Sequence, residues 1–190
     1  MKKIVLFLMM LTIAYSAHAQ YRDVKLPEKP DLPDYKDYST QNDGFWYAIE
    51  AEGGSSIMAT GPNMQYVQVG FTGGYRFSDF FRIGAGLAGR MYVHNADIRD
   101  VNNDYGVPIY FNARGKFLSA YDRDGVPYWS INIGGITNEG FFASPTLGYS
   151  FGGLRNNFLI GVSYTITSFT DYTKKSNAYS FFALRFGYEF

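Results

Sequence analysis

From Gly44 onward the chain alternates apolar and polar residues with a period of two, and clusters of Gly, Asn, Asp and Ser separate the alternating runs. A period of two sends successive side chains to opposite faces, so each run predicts a strand with one greasy face and one polar face. Eight such runs are present. In FWYAIEAEG, Phe45, Tyr47, Ile49 and Ala51 share one face and Glu50 and Glu52 the other. The second, near Met64 to Phe77, sets Val67, Val69, Phe71, Tyr75 and Phe77 against Gln68, Gly70, Thr72, Gly74 and Arg76. The third sets Phe81, Ile83, Ala85, Leu87, Met91 and Val93 against Arg82, Gly84, Gly86, Ala88, Arg90 and Tyr92.

The fourth run opposes Ile109, Phe111 and Ala113 to Tyr110, Asn112, Arg114 and Lys116, and the fifth opposes Trp129, Ile131 and Ile133 to Ser130, Asn132 and Gly134. In the sixth, Phe141, Ala143, Leu147, Tyr149 and Phe151 oppose Ser144, Thr146, Gly148 and Ser150. Pro145 falls inside this run and cannot donate to a ladder, which predicts a bulge there. The seventh places Phe158, Ile160, Val162 and Tyr164 against Gly161, Ser163 and Thr165. The eighth places Phe182, Leu184, Phe186, Tyr188 and Phe190 against Ala183, Arg185, Gly187 and Glu189. An apolar, aromatic-rich sheet face aggregates in water, whereas in a bilayer it is the required outer surface once the sheet closes and pairs every backbone group. The pattern therefore predicts an all-β fold: an eight-stranded antiparallel transmembrane barrel over residues 44–190.

Composition supports this class. Aromatic residues make up 19% of the chain and charged residues only 18%, with 21 glycines. A mean hydropathy of −0.17 does not oppose it, because an average cannot see alternation. Before the barrel, Lys2 and Lys3 precede an apolar run from Ile4 to Ala14, and Ala17-His18-Ala19 has the small-x-small form of a signal cleavage site. Residues 1–19 thus read as a signal peptide cut after Ala19. The apolar run is too short for a spanning helix, which needs about 20 residues. Residues 20–43 carry three prolines among six acidic and four basic residues, the composition of a flexible tether. Without cysteine the exported chain has neither disulfides nor a lipidated N-terminal cysteine. Removal of the leader leaves 15 basic against 17 acidic residues, a balance that argues against nucleic acid as a partner.

The run ending in FFALRFGYEF, with its alternating aromatics and its final Phe190, resembles the small outer-membrane barrels of the OmpA and OmpX type. The resemblance spans roughly Gly44 to Phe190. It implies that Phe182, Leu184, Phe186, Tyr188 and Phe190 form the carboxy-terminal signal read by the outer-membrane assembly machinery. It also implies a Gram-negative outer membrane, lipid and lipopolysaccharide around the wall, and both termini in the periplasm. The connections after strands one, three, five and seven then face outward, around Ser55 to Asn63, His94 to Gly106, Ile136 to Gly140 and Ser168 to Asn177. The chain departs from the OmpA pattern in having no expected peptidoglycan-binding domain after the barrel, and from the OmpX pattern in its acidic tether.

Parity sends Glu50, Glu52, Arg76, Arg82, Arg90, Arg114, Lys116, Arg185 and Glu189 into the lumen. An eight-stranded barrel is only wide enough for side chains to fill it, and isolated buried ions are costly, so these nine charges are expected to pair into a plug. Other motifs resolve against this frame. Gly84, Gly86 and Gly89 have the G-x-G-x-x-G spacing, but no helix follows, so this is not read as a nucleotide site, and Gly84 and Gly86 read as inward strand glycines that leave room for arginines. Asp100, Asn102 and Asp104 resemble the start of a calcium loop, yet the turn glycine arrives late at Gly106 and Phe111 takes the position of the ligand glutamate, so the stretch reads as a polar loop. After the leader, His94 is the one histidine, and no serine follows it in HNADIR. The expectation is therefore no enzyme, no metal and no cofactor. The functional expectation is a structural or interaction component of the envelope, including an accessory subunit of a larger outer-membrane complex. The alternative is a narrow pore for small solutes or ions.

Overall fold

The computed structural model describes residues 43–57, 63–99, 103–120, 123–153, 155–170 and 176–190. The expected leader, with Ala17 and Ala19, and the tether up to residue 42 lie outside them.

The strands are β1 (Gly44–Ser56), β2 (Gln65–Ser78), β3 (Phe81–His94), β4 (Tyr105–Gly106), β5 (Pro108–Lys116), β6 (Gly125–Ile136), β7 (Gly140–Phe151), β8 (Asn157–Thr170) and β9 (Ser176–Glu189). Each long strand pairs antiparallel with its sequence neighbours, and β1 pairs with β9 from Ala48↔Glu189 to Ser56↔Phe181. The sheet closes on itself, so no long edge remains. The short β4 continues the line of β5 beside β3, which makes eight walls from nine strands. Most walls run 12–14 residues, longer than the about 9–11 that a tilted membrane strand needs.

Burial alternates along every wall in the sense the sequence predicts. Phe71, Leu87, Phe111, Leu147 and Leu184 point outward and are exposed, while Thr72, Ala88, Asn112, Thr146 and Ala183 point inward and are buried. The barrel's two ends differ in their connections. One end, where β1 starts and β9 finishes, carries the connections 79–80, 117–124 and 152–156; we call it the termini end. The other, the loop end, carries 57–64, 95–104, 137–139 and 171–175. In the turn before β7, Asn138 at φ 63° and Gly140 at φ 154° adopt conformations open to few residue types, which lets three residues reverse the chain.

Three expectations change. Pro145 produces no bulge: β6–β7 runs in register through Ile131↔Pro145, and β7–β8 keeps one register from Ala143↔Ile166 to Thr146↔Ser163. The missing N–H faces β8, where the ladder is interrupted at residues 144–145 without slipping. The register shifts occur instead on β2–β3, at Gln65/Tyr66 and Arg76/Ser78. The inward glycines of β3 make room for rings, not arginines. A Cβ on Gly86 would lie 2.6 Å from the Tyr110 ring, and one on Gly84 3.1 Å from Trp46 and 2.5 Å from the Gly73 carbonyl. Finally, the connection after β3 is more than a polar loop. It forms a short 3₁₀ turn, Ala96–Ile98, then returns along β3, where the Tyr92 N–H donates to the Asp104 carbonyl at 2.9 Å. Asp100 and Asn102 of the calcium-like motif lie outside the described residues.

Candidate functional site in the barrel lumen

All nine charged residues assigned to the lumen by parity are enclosed by the barrel, none more than 6% exposed. They separate along the axis into distinct groups. At the termini end, Glu189 Oε1 accepts from Arg76 at 3.1 Å and from Arg82, and Glu189 Oε2 lies 3.4 Å from Arg114. Arg114 also reaches Glu50 Oε2 at 2.8 Å and donates through Nε to Asn112 Oδ1 at 3.0 Å. Its guanidinium lies 4.7 Å from the Trp46 ring centroid, with Arg82 at 5.8 Å from the same ring. Strand parity explains the convergence, because Trp46, Glu50, Arg76, Arg82, Arg114 and Glu189 are inward positions of β1, β2, β3, β5 and β9.

Nearer the loop end, Arg185 Nε donates to Glu52 Oε2 at 2.7 Å, and the Tyr66 hydroxyl donates to Glu52 Oε1. Arg185 Nη2 continues to Ser144 Oγ at 3.0 Å, and Ser144 to Thr165 at 2.8 Å. Two cations do not follow the expected pairing with a carboxylate. Arg90, 1% exposed, is held by Gln68 Oε1 at 2.9 Å and Thr167 at 3.4 Å, with its guanidinium 4.2 Å from the Tyr66 ring centroid. Lys116 donates to the Gly153 carbonyl at 3.2 Å and to Asn157 Oδ1 at 3.4 Å. A π face and neutral oxygens replace the carboxylate at these positions.

Above Arg90 the lumen ends in an apolar cap of Met64, Tyr66, Tyr92, Ile98, Phe169, Tyr179, Phe181 and Ala183. Phe169 stacks on Tyr179 at 4.2 Å, and Tyr66 meets Phe181 edge-on at 5.2 Å. One ion pair is embedded here, Arg99 Nη2 to Glu139 Oε1 at 2.6 Å, with both side chains fully enclosed. The Tyr92 hydroxyl donates to Glu139 Oε2 at 2.8 Å, and Arg99 lies 4.0 Å from the Tyr92 ring centroid. Burial raises the Glu139 carboxyl above the usual carboxylate range, against the opposing pull of Arg99. The parity reading missed Trp46, Arg99 and Glu139. Trp46 shares the parity of Glu50 and was legible. Arg99 and Glu139 lie on connections, where no period assigns a face.

On the outer wall, aromatic rings gather at the termini end. Phe190 lies 4.7 Å from Tyr47 and 4.7 Å from Tyr188, Phe45 meets Tyr75 at 5.7 Å, and contacts continue through Phe77 and Phe81 to Trp129. The Phe190 N–H donates to the Tyr47 carbonyl at 2.8 Å, which closes the β1–β9 seam.

Among solved structures, the crystal structure of Neisserial surface protein A superposes with a TM-score of 0.54 at 12% identity, over 77% of this chain and 97% of that one. That neighbour is an eight-stranded outer-membrane barrel. The two share a closed eight-stranded antiparallel β-barrel. At this identity the likeness concerns fold alone. Neither a protein-family model nor a curated protein matches the sequence. The strand-end His94 is exposed and lies opposite Gln65 in the β2–β3 register.

Proposed function

We propose that the protein is an integral outer-membrane barrel of a Gram-negative cell that serves as a structural or interaction component of the envelope. Both termini are periplasmic in this reading, and the long connections face outward. The observation that carries it is the occupied lumen: ion pairs fill one half and the apolar cap closes the other. A barrel filled this way offers partner proteins its loops and its outer wall. Lipid and lipopolysaccharide contact the exposed apolar band, and the assembly machinery reads the β9 aromatics Phe182, Leu184, Phe186, Tyr188 and Phe190. The protein is extracted from native outer membranes in mild detergent, and the unheated species is sized and its companions identified. A compact monomer that shifts only on boiling supports a stand-alone barrel. Stoichiometric co-migration with a larger outer-membrane protein makes it an accessory subunit. Recovery only from soluble periplasmic fractions would defeat the reading.

A narrow pore is the second reading, favoured by the lumen's six cations against three carboxylates, Glu50, Glu52 and Glu189. Planar-bilayer conductance tests it. Current indistinguishable from bare lipid, even after Arg82, Arg90 and Arg114 are neutralised, removes the pore.

A further inference from the structure

Among the described residues, Lys116 is an enclosed charge at the termini end with no carboxylate within 4.0 Å. Its side chain is enclosed, the residue being 3% exposed, and its ammonium donates only to the Gly153 carbonyl and Asn157 Oδ1, both neutral. Glu189 is already taken by three guanidiniums, and Glu50 by Arg114. Asp79, at the rim, accepts from Ser119 at 3.2 Å and forms no ion pair with Lys116 within 4.0 Å. Beside Lys116, two enclosed donors bond to no acceptor among the described residues: Arg82 Nε, on a residue 2% exposed, and Asn157 Nδ2, on one fully buried. The Ser150 hydroxyl is likewise without a protein partner. Ser150 pairs with Leu159, and Asn157 is the next inward residue on β8, so the two lie diagonally on one inner surface.

A guanidinium N–H, an amide N–H and a hydroxyl thus lack acceptors beside an ammonium held only by neutral oxygens, in one region of positive charge. A neutral acceptor would satisfy hydrogen bonds and leave the charge uncompensated. An oxyanion does both, because it brings several lone pairs and a negative charge to the same donors. The geometry points to a binding site for a small oxyanion at the termini end of the lumen, held by Lys116, Arg82, Asn157 and Ser150. The ligand chemistry is that of inorganic phosphate or a phosphate monoester. The ligand enters from the soluble compartment at that mouth, since the donors lie inside the wall and not on the lipid face. The site is independent of whether the barrel acts alone or as a subunit.

The full chain, purified in an uncharged maltoside detergent, is titrated with inorganic phosphate at constant ionic strength set by chloride. Phosphorus NMR linewidth and the thermal midpoint are followed. The expected result is saturable broadening and a midpoint rise of several degrees that chloride does not reproduce. Lys116→Gln weakens the response at least tenfold, whereas Arg99→Gln at the loop end leaves it in place. Asn157→Asp covers the case in which Lys116→Gln fails to fold. It sets a carboxylate of equal size beside Lys116, so the phosphate response disappears and the phosphate-free variant melts no lower than phosphate-saturated wild type. No saturable broadening in wild type, an equal response in Lys116→Gln, or an Asn157→Asp variant that melts below phosphate-free wild type would overturn the proposal.

Discussion

At the termini end of the lumen, Glu189 gathers Arg76, Arg82 and Arg114 around one carboxylate. At the loop end, Met64, Tyr66, Ile98, Phe169 and Phe181 exclude water, with Arg99 and Glu139 as the embedded pair. The outer wall differs in parallel. A run of aromatic contacts encircles much of the termini end, whereas the loop end carries an apolar groove of about 410 Å³ where Gly53 leaves room beside Val67, Val93 and Leu184. The inner contrast follows from what carries each residue. Glu189 and its cations are fixed on paired strands and cannot reach water without opening the barrel. Ile98, Arg99 and Glu139 sit on connections at the barrel mouth, where Thr137 and Asn138 are exposed to solvent. The same chemistry, a buried ion pair, should therefore matter unequally at the two ends.

The largest expected effect is at Glu189. Glu189→Gln keeps the volume but leaves three enclosed guanidiniums without their shared carboxylate, and should cost about 3–5 kcal/mol. Urea unfolding in lipid vesicles, read by the unheated gel shift, checks it. A loss comparable to that of Glu139→Gln would erase the distinction between the ends.

Between the ends, Gly86→Val tests how tightly the lumen is packed. Its Cβ would meet the Tyr110 ring at 2.6 Å, and overpacking of this kind costs about 1–3 kcal/mol. Gly89→Val, three residues on, places its Cβ on the outward face with nothing within 4 Å, and should stay within about 0.5 kcal/mol of wild type. Equal effects would mean that β3 does not hold its register in the membrane.

At the loop end, Glu139→Gln should stay within about 1 kcal/mol of wild type at neutral pH, because the desolvation of the ionised carboxyl offsets its contact with Arg99, which keeps the Asn103 carbonyl and the Tyr92 face. The pH dependence sharpens this further. Burial holds the Glu139 carboxyl above its usual range, so the folded chain takes up this proton at a higher pH than the unfolded chain does. The ionised group therefore carries a penalty at neutral pH that fades as pH falls toward the free-glutamate value of about 4.3. Unfolding curves of wild type and Glu139→Gln, measured from pH 7 down to that range, should show wild type gaining relative to the variant. A relative loss would mean that the contact with Arg99 outweighs desolvation.

The alternation alone determined the barrel. Phe45, Tyr47 and Ile49 against Glu50 and Glu52 already contain the inside and the outside, because a strand's side-chain period is two and one face must meet lipid. The same parity carried all nine lumen charges, since a residue's face depends only on its position along its own strand. Partnership was another matter. Glu189 and Arg82 lie 107 residues apart, and only strand order and register bring them into contact. Pro145 interrupts one ladder without a bulge because its N–H would have faced β8, a direction that pairing decides. The Arg99 and Glu139 pair and the cap above Arg90 sit on segments without a period, and closure of the barrel mouth alone brings them together. The sequence by itself settled which side chains face inward, for a local geometric reason. Which of them meet, and that Arg90 and Lys116 pair with neutral groups, was decided by the tertiary structure, because electrostatic satisfaction is a property of neighbours across the lumen.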